Sequence, residues 1–302
     1  MPFVYSPRYY ADIGVHVFPI VKYRKVYEKL LETGTATERD FVEPRPATDQ
    51  ELLLVHTPEY LQDLRNCAWT ERTAFSELPL SREIVELFVL AAGGTIVSGQ
   101  EALRVGWAVH LGGGFHHAFA DKAEGFCYIN DLAVAARALQ QQGAVKKVAI
   151  LDCDLHQGNG TAKLFQDDET VYTFSMHQRD LYPVKERSDW DIHLPNGVTD
   201  EAYLAYLHEA IPKILDDFQP DLVLYQAGAD PYEYDQLGSL ALTIAGLKTR
   251  DAFVFEQCRQ RGIPVAATLG GGYAYHTEDT VQIHFNTCVA ALETFGGESD
   301  VG

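Results

Sequence analysis

The stretch ILDCDLHQGNG, from Ile150 to Gly160, joins an apolar run to acids and a histidine. The apolar residues at 148–151 lead directly into Asp152, Asp154 and His156. Carboxylates at the end of a buried strand are costly unless a positive charge or hydrogen-bond donors compensate them. Because residues two apart in an extended segment point to the same side, Asp154 and His156 are candidate ligands of one cation.

A third candidate ligand, Asp230, follows another apolar run in the segment AGAD. Two carboxylate oxygens and one imidazole nitrogen suit a catalytic Zn²⁺ and leave a coordination position open for water or substrate. The charge of the ion would then offset the cost of burying the acids. Asp152 has the same parity as Asp154, but it is better placed to orient a neighbouring histidine than to bind the ion.

Alternating strands and helices must position these residues. The predicted strands are Trp107–Leu111, Lys147–Asp152, Val171–Ser175, Asp221–Gln226 and Pro264–Leu269. The predicted helices are Arg82–Leu103, Leu132–Gln142, Glu201–Phe218, Thr243–Arg261 and Thr280–Leu292. This alternation predicts an α/β fold, a single domain over 1–302 with a mostly parallel sheet flanked by helices on both faces. The less regular N-terminal third is expected to wrap the sheet or to form one wall of the site.

Each unusual polar cluster falls just after a predicted strand. In chain order the clusters are GGGFHH, DCDLH, SMH, AGAD and LGGGY. Ligands of open parallel sheets bind in the crevice beyond the carboxyl ends of the strands. The sequence therefore predicts that these five segments converge at one edge of the sheet.

Each feature also has a simpler structural explanation when it is taken alone. Asp154 could cap a helix over 158–165, and Asp230 could be a turn acid before a proline. The pair at 116–117, two adjacent histidines, could be structural, and Tyr273 could be a packed aromatic residue. Their occurrence together, in this order, favours a functional site.

The composition argues against several kinds of partner. The 302 residues include 24 Lys+Arg and 43 Asp+Glu, which gives a formal net charge of −19. An acidic surface repels phosphate backbones and anionic lipids, so neither direct nucleic-acid binding nor a membrane role is expected. The sequence has no apolar run of about 18 residues, and its N-terminus has no signal pattern. It therefore predicts a cytoplasmic protein. The five cysteines include no CxxC pair, so neither a disulfide framework nor a structural zinc knuckle is expected.

The ordered motifs resemble those of a known family. They are GGGFHHA (112–118), GFCYIND (125–131), LDCDLHQGNG (151–160), FSMH (174–177), AGADPY (227–232) and LGGGY (269–273). Together they resemble the zinc-dependent histone deacetylase and acetylpolyamine deacetylase superfamily, which has an arginase-like α/β fold. The segments at 157–159 and 180–183 look most like the class IV branch and its bacterial relatives. The resemblance covers most of the chain, from about His56 to the last helix.

This resemblance implies a role for each polar residue at the predicted edge. The implied metal ligands are Asp154, His156 and Asp230. The implied catalytic residues are His116 and His117, which flank the attacking water, and Tyr273, which donates a hydrogen bond to the amide carbonyl. The implied reaction is hydrolysis of an acylated amine, such as acyl-lysine or an acetylpolyamine, to a carboxylate and a free amine.

The resemblance also implies partners for the two histidines. Asp152 matches the partner of His116, whereas the partner position of His117 holds Asn159 in place of the carboxylate found in many relatives. Asn accepts a hydrogen bond without carrying a negative charge. We therefore hypothesise that His117 is less readily protonated than His116 and acts as the base.

Further implied features concern the substrate and a second ion. Residues that match the lining of the acyl-chain tunnel are Gly125, Phe126, Tyr182 and Gly271. A structural K⁺ is implied near the main-chain carbonyls of Asp152, Asp154, His156 and Ser175. The acids Asp180, Glu233 and Asp235 could anchor a cationic substrate at the rim, although solvated loop acids are common. His56 is expected to be structural, and His177 and His193 have no assigned role.

Three alternatives remain open. An arginase-like ureohydrolase would need a second manganese ion with further acids around it. A cysteine hydrolase would use Cys127 or Cys153, although two acids flank Cys153 and would raise the pKa of its thiol. A non-catalytic acyl-ligand binder would keep the fold without the reaction. Neither the natural acyl substrate nor the oligomeric state follows from the sequence.

Overall fold

Residues 2–296 are the part of the chain that the computed structural model describes, and within them eight strands form one sheet. In chain order the strands are β1 (Phe3–Val4), β2 (Phe41–Val42), β3 (Trp107–His110), β4 (Val148–Asp152), β5 (Val171–Gln178), β6 (Trp190–Leu194), β7 (Leu222–Gln226) and β8 (Val265–Thr268). Their order across the sheet is β2-β1-β3-β8-β7-β4-β5-β6, and all neighbours pair in parallel.

Helices connect and cover these strands. They are α1 (Lys22–Glu32), α2 (Asp49–Leu52), α3 (Pro58–Arg65), α4 (Arg82–Val105), α5 (Asp131–Gln141), α6 (Asn159–Phe165), α7 (Asp200–Phe218), α8 (Ile244–Arg261) and α9 (Thr277–Phe295). Helix α4 packs on α5, β3 and β8, whereas α8 packs on α7 and α9, and α9 also contacts α1 and β3. The fold is the predicted α/β domain with a parallel sheet and helices on both faces.

The central strands are buried along their whole length. All five residues of β4 and all five of β7 are buried. A strand that is covered on both faces has no solvent side, so its sequence is continuously apolar instead of alternating. The segments VAIL and LVLY can therefore be identified as buried strands from the sequence. The acids that follow them, Asp154 and Asp230, differ clearly from these apolar runs.

Helix α4 is long and apolar enough to cross a membrane by length and composition, but 72% of its apolar window is buried inside the protein. The hydroxyl of Ser81 caps its first turn by accepting from the backbone N–H of Ile84. Gly106 ends it in the left-handed region, with φ of 94°. It is therefore a core helix that supports β3 and β8.

The N-terminal third contributes two strands to the sheet and one segment to the site. Strands β1 and β2 extend the sheet beyond β3, and α1 packs on α9. The segment before α1 also reaches the functional edge, because the rings of Phe18 and Tyr273 lie 6.4 Å apart. The outer limits of the domain at 1 and 302 stay a prediction.

Candidate active site

Four adjacent strands bring the polar clusters to one edge of the sheet. Strands β3, β8, β7 and β4 lie side by side and run in the same direction. His117 follows β3, Tyr273 follows β8, Asp230 follows β7 and Asp154 follows β4. Since parallel strands end at a common edge, residues more than 100 positions apart in sequence become neighbours.

Asp154, His156 and Asp230 form one compact buried group, in which one ligand atom from each lies within 4.8 Å of the others. His156 Nδ1 lies 3.2 Å from Asp230 Oδ2 and 3.4 Å from Asp154 Oδ1. Among residues 2–296, this is the group of His, Cys, Asp and Glu side chains whose geometry suits a metal ion. Two oxygens and one nitrogen are the donor set expected of a catalytic divalent cation site.

Backbone amides fix both carboxylates of this group. Asp154 accepts the N–H of His156 at 3.0 Å and that of Gly271 at 2.9 Å. Asp230 accepts the N–H of Leu155 at 2.9 Å, from a segment far away in sequence. Helix α6 begins after Gly158 without a side-chain cap, so Asp154 is not a helix cap. Both acids are held by contacts across the site.

The electrostatics of the group favour a cation. Burial raises the pKa of Asp230 to about 6, and the neighbouring Asp154 carboxylate acts in the same direction. Burial opposes protonation of His156, but its hydrogen bonds to Asp154 and Asp230 outweigh burial and raise its pKa to about 10. A proton on His156 therefore compensates the two acids, and a divalent cation would displace that proton on binding. The residues present fit such an ion.

The two tandem histidines have different partners. His116 Nδ1 donates to Asp152 Oδ2 at 2.7 Å, and His117 Nδ1 donates to Asn159 Oδ1 at 2.8 Å. Burial opposes the charged form of His116, but the Asp152 and Asp154 carboxylates outweigh it and raise its pKa to about 9. Burial, together with the nearby His116 and His156, holds the pKa of His117 well below its ordinary value. The two rings thus differ in that a carboxylate accepts from His116 and a neutral amide accepts from His117.

Two buried residues, Asp131 and His56, fix the loop that carries the tandem histidines. Asp131 accepts the backbone N–H groups of Gly114, at 3.0 Å, and Phe115, at 2.7 Å. His56 donates through Nδ1 to the Phe119 carbonyl at 2.9 Å and accepts the Asn130 N–H at 3.1 Å. His56 is therefore structural, as expected. The role of Asp131 was not predicted, although it lies in a recognised motif.

The ring centre of Tyr273 lies 6.5 Å from that of His156, one of the candidate metal ligands. Burial and the nearby Asp230 charge raise the pKa of its hydroxyl well above the ordinary value, so the hydroxyl stays a donor. Its backbone N–H donates to Asp235 at 2.7 Å. Asp235 is buried, so its prediction as a rim acid is wrong: its carboxylate holds the Tyr273 and Leu237 amides.

A pocket of about 260 Å³ leads from the surface to this site. Its walls include Gly125, Phe126, Tyr182 and Tyr273, and its floor includes His117 and His156. The rings of Phe126 and Tyr273 lie 5.8 Å apart, and those of His117 and Tyr182 lie 5.5 Å apart. The exposed Glu77 lies at the same pocket. Three of the four predicted tunnel residues therefore line one pocket.

Gly271, the fourth predicted tunnel residue, does not line this pocket and lies against the candidate metal ligands Asp154 and Asp230. Its N–H binds Asp154, and a Cβ at this position would lie 2.1 Å from Asp230 Oδ2. Glycine is needed here because the backbone passes directly against both carboxylates. Gly271 also lines a small inner cavity together with His116, Phe18 and Cys127.

Lys22 is fully buried at this edge, and nothing in the sequence indicated it. Its ammonium group donates to the Gly270 carbonyl and lies 5.9 Å from the centre of the Tyr273 ring. Burial lowers its pKa to about 8, against the opposing charges of Asp230 and Asp154. Lys22 opens an amphipathic helix, so its position near the site depends entirely on how α1 docks.

The structure also bears on the cysteine alternative and on the unassigned histidines. Burial raises the pKa of the Cys127 thiol well above its ordinary value and that of Cys153 to about 12, so neither thiol is activated. His177 lies between Ser175, at 2.9 Å, and His193, at 2.8 Å, and lines neither cavity at the site. The structure therefore brings neither histidine into the candidate site.

The sequence and structure are similar to those of known proteins. The histone deacetylase domain matches residues 16–288. An uncharacterized protein of Picosynechococcus is 42% identical over 94% of this chain and 95% of its own length. Histone deacetylase 2 of Arabidopsis thaliana is 33% identical over 89% of this chain and 74% of its own. The acetoin utilization protein AcuC of Bacillus subtilis is 31% identical over 80% and 69%.

Solved structures are also similar to this protein. The crystal structure of a histone deacetylase homologue from Aquifex aeolicus superposes with a TM-score of 0.81 at 25% identity, over 96% of this chain and 83% of that one. The HDA15 HD domain also superposes with a TM-score of 0.81 at 25% identity, over 99% and 92%. Because the domain match spans most of the chain and the folds coincide, this protein belongs to the histone deacetylase family of hydrolases.

Proposed function

We propose that this protein is a zinc-dependent amidohydrolase that removes an acyl group, acetyl or longer, from an acylated amine such as acyl-lysine or an acetylpolyamine. The products are a carboxylate and a free amine. The observation that carries the proposal is the buried group of Asp154, His156 and Asp230 at the end of a pocket that Tyr273 and His117 also line.

Asp154, His156 and Asp230 would hold the zinc ion. When bound, zinc supplies a Lewis acid for the acyl oxygen and lowers the pKa of water toward neutrality. The amides of Leu155 and Gly271 keep the two carboxylates in place. Because those amides also neutralise part of the carboxylate charge, the site can exist before the ion binds.

His117 is the proposed base. Its Nδ1 is occupied by Asn159, so its Nε2 is the atom free to take the proton from the attacking water and to pass it to the leaving nitrogen as the C–N bond breaks. Burial and the positive charge of His116 keep His117 neutral, which is the form a base requires. His116 keeps its proton more firmly because Asp152 and Asp154 face it, so it stabilises negative charge as the acyl carbon becomes tetrahedral.

Tyr273 is the proposed donor to the acyl oxygen. Its hydroxyl stays protonated, and its backbone is fixed by Asp235. A donor that is held in place before the reaction stabilises the developing oxyanion without reorganisation. The contact strengthens as the oxygen gains charge, so its contribution falls mainly on kcat.

The pocket supports an acylated amine as the substrate. Its wall is formed by the rings of Phe126 and Tyr182, which suit the alkyl stem of such a molecule. The mouth carries Glu77 and the protein as a whole has a net charge of −19, both of which favour a cationic substrate or product over an anionic one. These features are shared by acyl-lysine and by acetylpolyamines.

A turnover screen tests the proposal. Purified protein loaded with one zinc ion per chain is assayed on acetyl-lysine peptide, long-chain acyl-lysine peptide, acetylputrescine and acetylspermidine, with release of carboxylate and amine both measured. At least one substrate should be turned over, and Asp154→Ala should abolish both turnover and zinc binding. Absence of turnover on all four substrates, or turnover that the Asp154 variant retains, would overturn the proposed reaction.

A further inference from the structure

The carboxamide of Asn159 contacts both His117 and Glu124, an acid that the sequence did not associate with the site. Asn159 Oδ1 accepts from His117 Nδ1 at 2.8 Å, and Asn159 Nδ2 donates to Glu124 Oε1 at 2.8 Å. Asn159 is only 1% exposed, so water does not compete for these contacts. A carboxylate thus lies one side chain behind the histidine, and Asn159 separates the two.

We propose that Glu124 is a positioning residue: it fixes the orientation of the Asn159 carboxamide and, through it, the tautomer of His117. Only the expected effect of this positioning on kcat rests on the proposed function. The geometric consequence, which nitrogen of His117 carries the proton, can be measured without any substrate.

The orientation of the Asn159 carboxamide follows from which groups donate and which accept. An ionised carboxylate only accepts hydrogen bonds, so the Asn159 amide must turn its NH₂ group toward Glu124 and its oxygen toward His117. An oxygen facing Nδ1 requires the proton on Nδ1 and leaves Nε2 unprotonated. If the Asn159 carboxamide were flipped, its NH₂ would face His117 Nδ1 and the proton of the ring would move to Nε2. His117 could then no longer accept a proton at Nε2.

Other contacts hold Glu124 in this position. Its Oε2 accepts from the Lys122 ammonium group at 2.7 Å. The backbone N–H and carbonyl of Glu124 pair with Cys127 at 3.2 and 2.9 Å. The Tyr182 hydroxyl, from the pocket wall, also interacts with the Glu124 carboxylate. Glu124 therefore connects the pocket wall to the partner of His117.

The first test compares Glu124→Gln with the parent protein. Glutamine has nearly the same shape but both donates and accepts, so it no longer selects one orientation of Asn159. We expect kcat to fall by about 10- to 100-fold, the range typical of partners that orient site residues, with KM and zinc content unchanged. Glu169→Gln is the matched control, since it makes the same change at an exposed residue outside the site, and its kcat should equal that of the parent.

A spectroscopic measurement separates positioning from a general structural role. Protein labelled with ¹⁵N in its histidines reports the tautomer of each ring, and the His117 signals are assigned by their loss in His117→Ala. The parent should show His117 with its proton on Nδ1, and Glu124→Gln should move the signals toward the Nε2-protonated form. An unchanged tautomer in Glu124→Gln would overturn the proposal.

A compensating variant completes the test. Adding Asn159→Asp to Glu124→Gln gives His117 a partner that only accepts, so the Nδ1-protonated tautomer and kcat should both recover. A double variant as impaired as Glu124→Gln alone would show that Glu124 acts through the fold and would overturn the proposal. If the parent hydrolyses no acylated amine, the proposed function fails, while the tautomer comparison still decides the role of Glu124.

Discussion

The backbone N–H of Gly271 donates a hydrogen bond to the carboxylate of Asp154 at 2.9 Å, although the two residues are 117 positions apart. The loop after β8 therefore contributes to the geometry of a ligand that follows β4. A side chain at this position has no space, because a Cβ would lie 2.5 Å from Asp154 Oδ2 and 2.1 Å from Asp230 Oδ2.

Gly271→Ala should therefore weaken zinc binding. The added methyl group displaces two predicted ligands at once, and we expect a loss of affinity of about 10- to 100-fold. Competition against a fluorescent chelator measures it. Gly296→Ala is the matched control, because a Cβ there meets no atom within 4 Å, and it should bind zinc as the parent does. Parental affinity in Gly271→Ala would contradict the predicted close approach.

His117→Ala and Asp154→Ala should separate the reaction from metal binding. His117→Ala removes the proposed base and should lower kcat by about 10²- to 10⁴-fold while one zinc ion per chain remains bound. Asp154→Ala removes a charged ligand and should lose zinc as well. Metal analysis of both purified variants beside their kinetics checks this. Zinc loss in His117→Ala would place His117 among the ligands and refute the assignment.

Tyr273→Phe should reduce kcat by about 10²- to 10³-fold with little change in KM, because the hydroxyl acts mainly on the transition state. Steady-state kinetics on the best substrate of the turnover screen gives both constants. Tyr275→Phe serves as the control, since Tyr275 is 70% exposed and its kinetics should match those of the parent. Full activity in Tyr273→Phe would exclude an oxyanion contact.

The pH dependence of kcat/KM should respond to the charge on the partner of His117. Burial holds the pKa of His117 well below its ordinary value, and a carboxylate at 159 would raise that pKa. The base would then be protonated at higher pH, so the acidic limb should move to higher pH.

This comparison needs a second substitution. Asn159 Nδ2 lies 2.8 Å from Glu124, so Asn159→Asp alone would bring two carboxylates together. Glu124→Gln in the same chain supplies a donor in its place. The pH profile of the double variant should therefore be compared with that of the parent, and an unchanged acidic limb would count against His117 as the base.

The scaffold of the site was predictable because each strand that carries a ligand is covered on both faces. Strands β3, β4, β5, β7 and β8 were all predicted to within a few residues, since apolar residues dominate their sequences. Strand β6 was missed because three of its five residues are partly buried and one is exposed, which leaves a mixed sequence at the sheet edge. Strands β1 and β2 have two residues each, too few to show a pattern.

The residues that support the site were harder to predict. Asp131, Lys22 and Glu124 act through groups that lie close to them only in the folded chain: the Gly114 amide, the Gly270 carbonyl and the Asn159 amide. Nothing in the local sequence distinguishes them from a helix-terminal acid, a helix lysine or a loop glutamate. The motifs that hold the ligands are local, whereas the contacts that orient them depend on how distant loops pack.

The most direct test of the account is a zinc titration of metal-free protein with activity measured at each step. If Asp154, His156 and Asp230 hold one ion that the reaction requires, activity should rise from zero and stop rising at one zinc per chain. Asp230→Ala should show no rise over the same range. Full activity before zinc is added, or a rise that continues to two equivalents, would contradict the single zinc site.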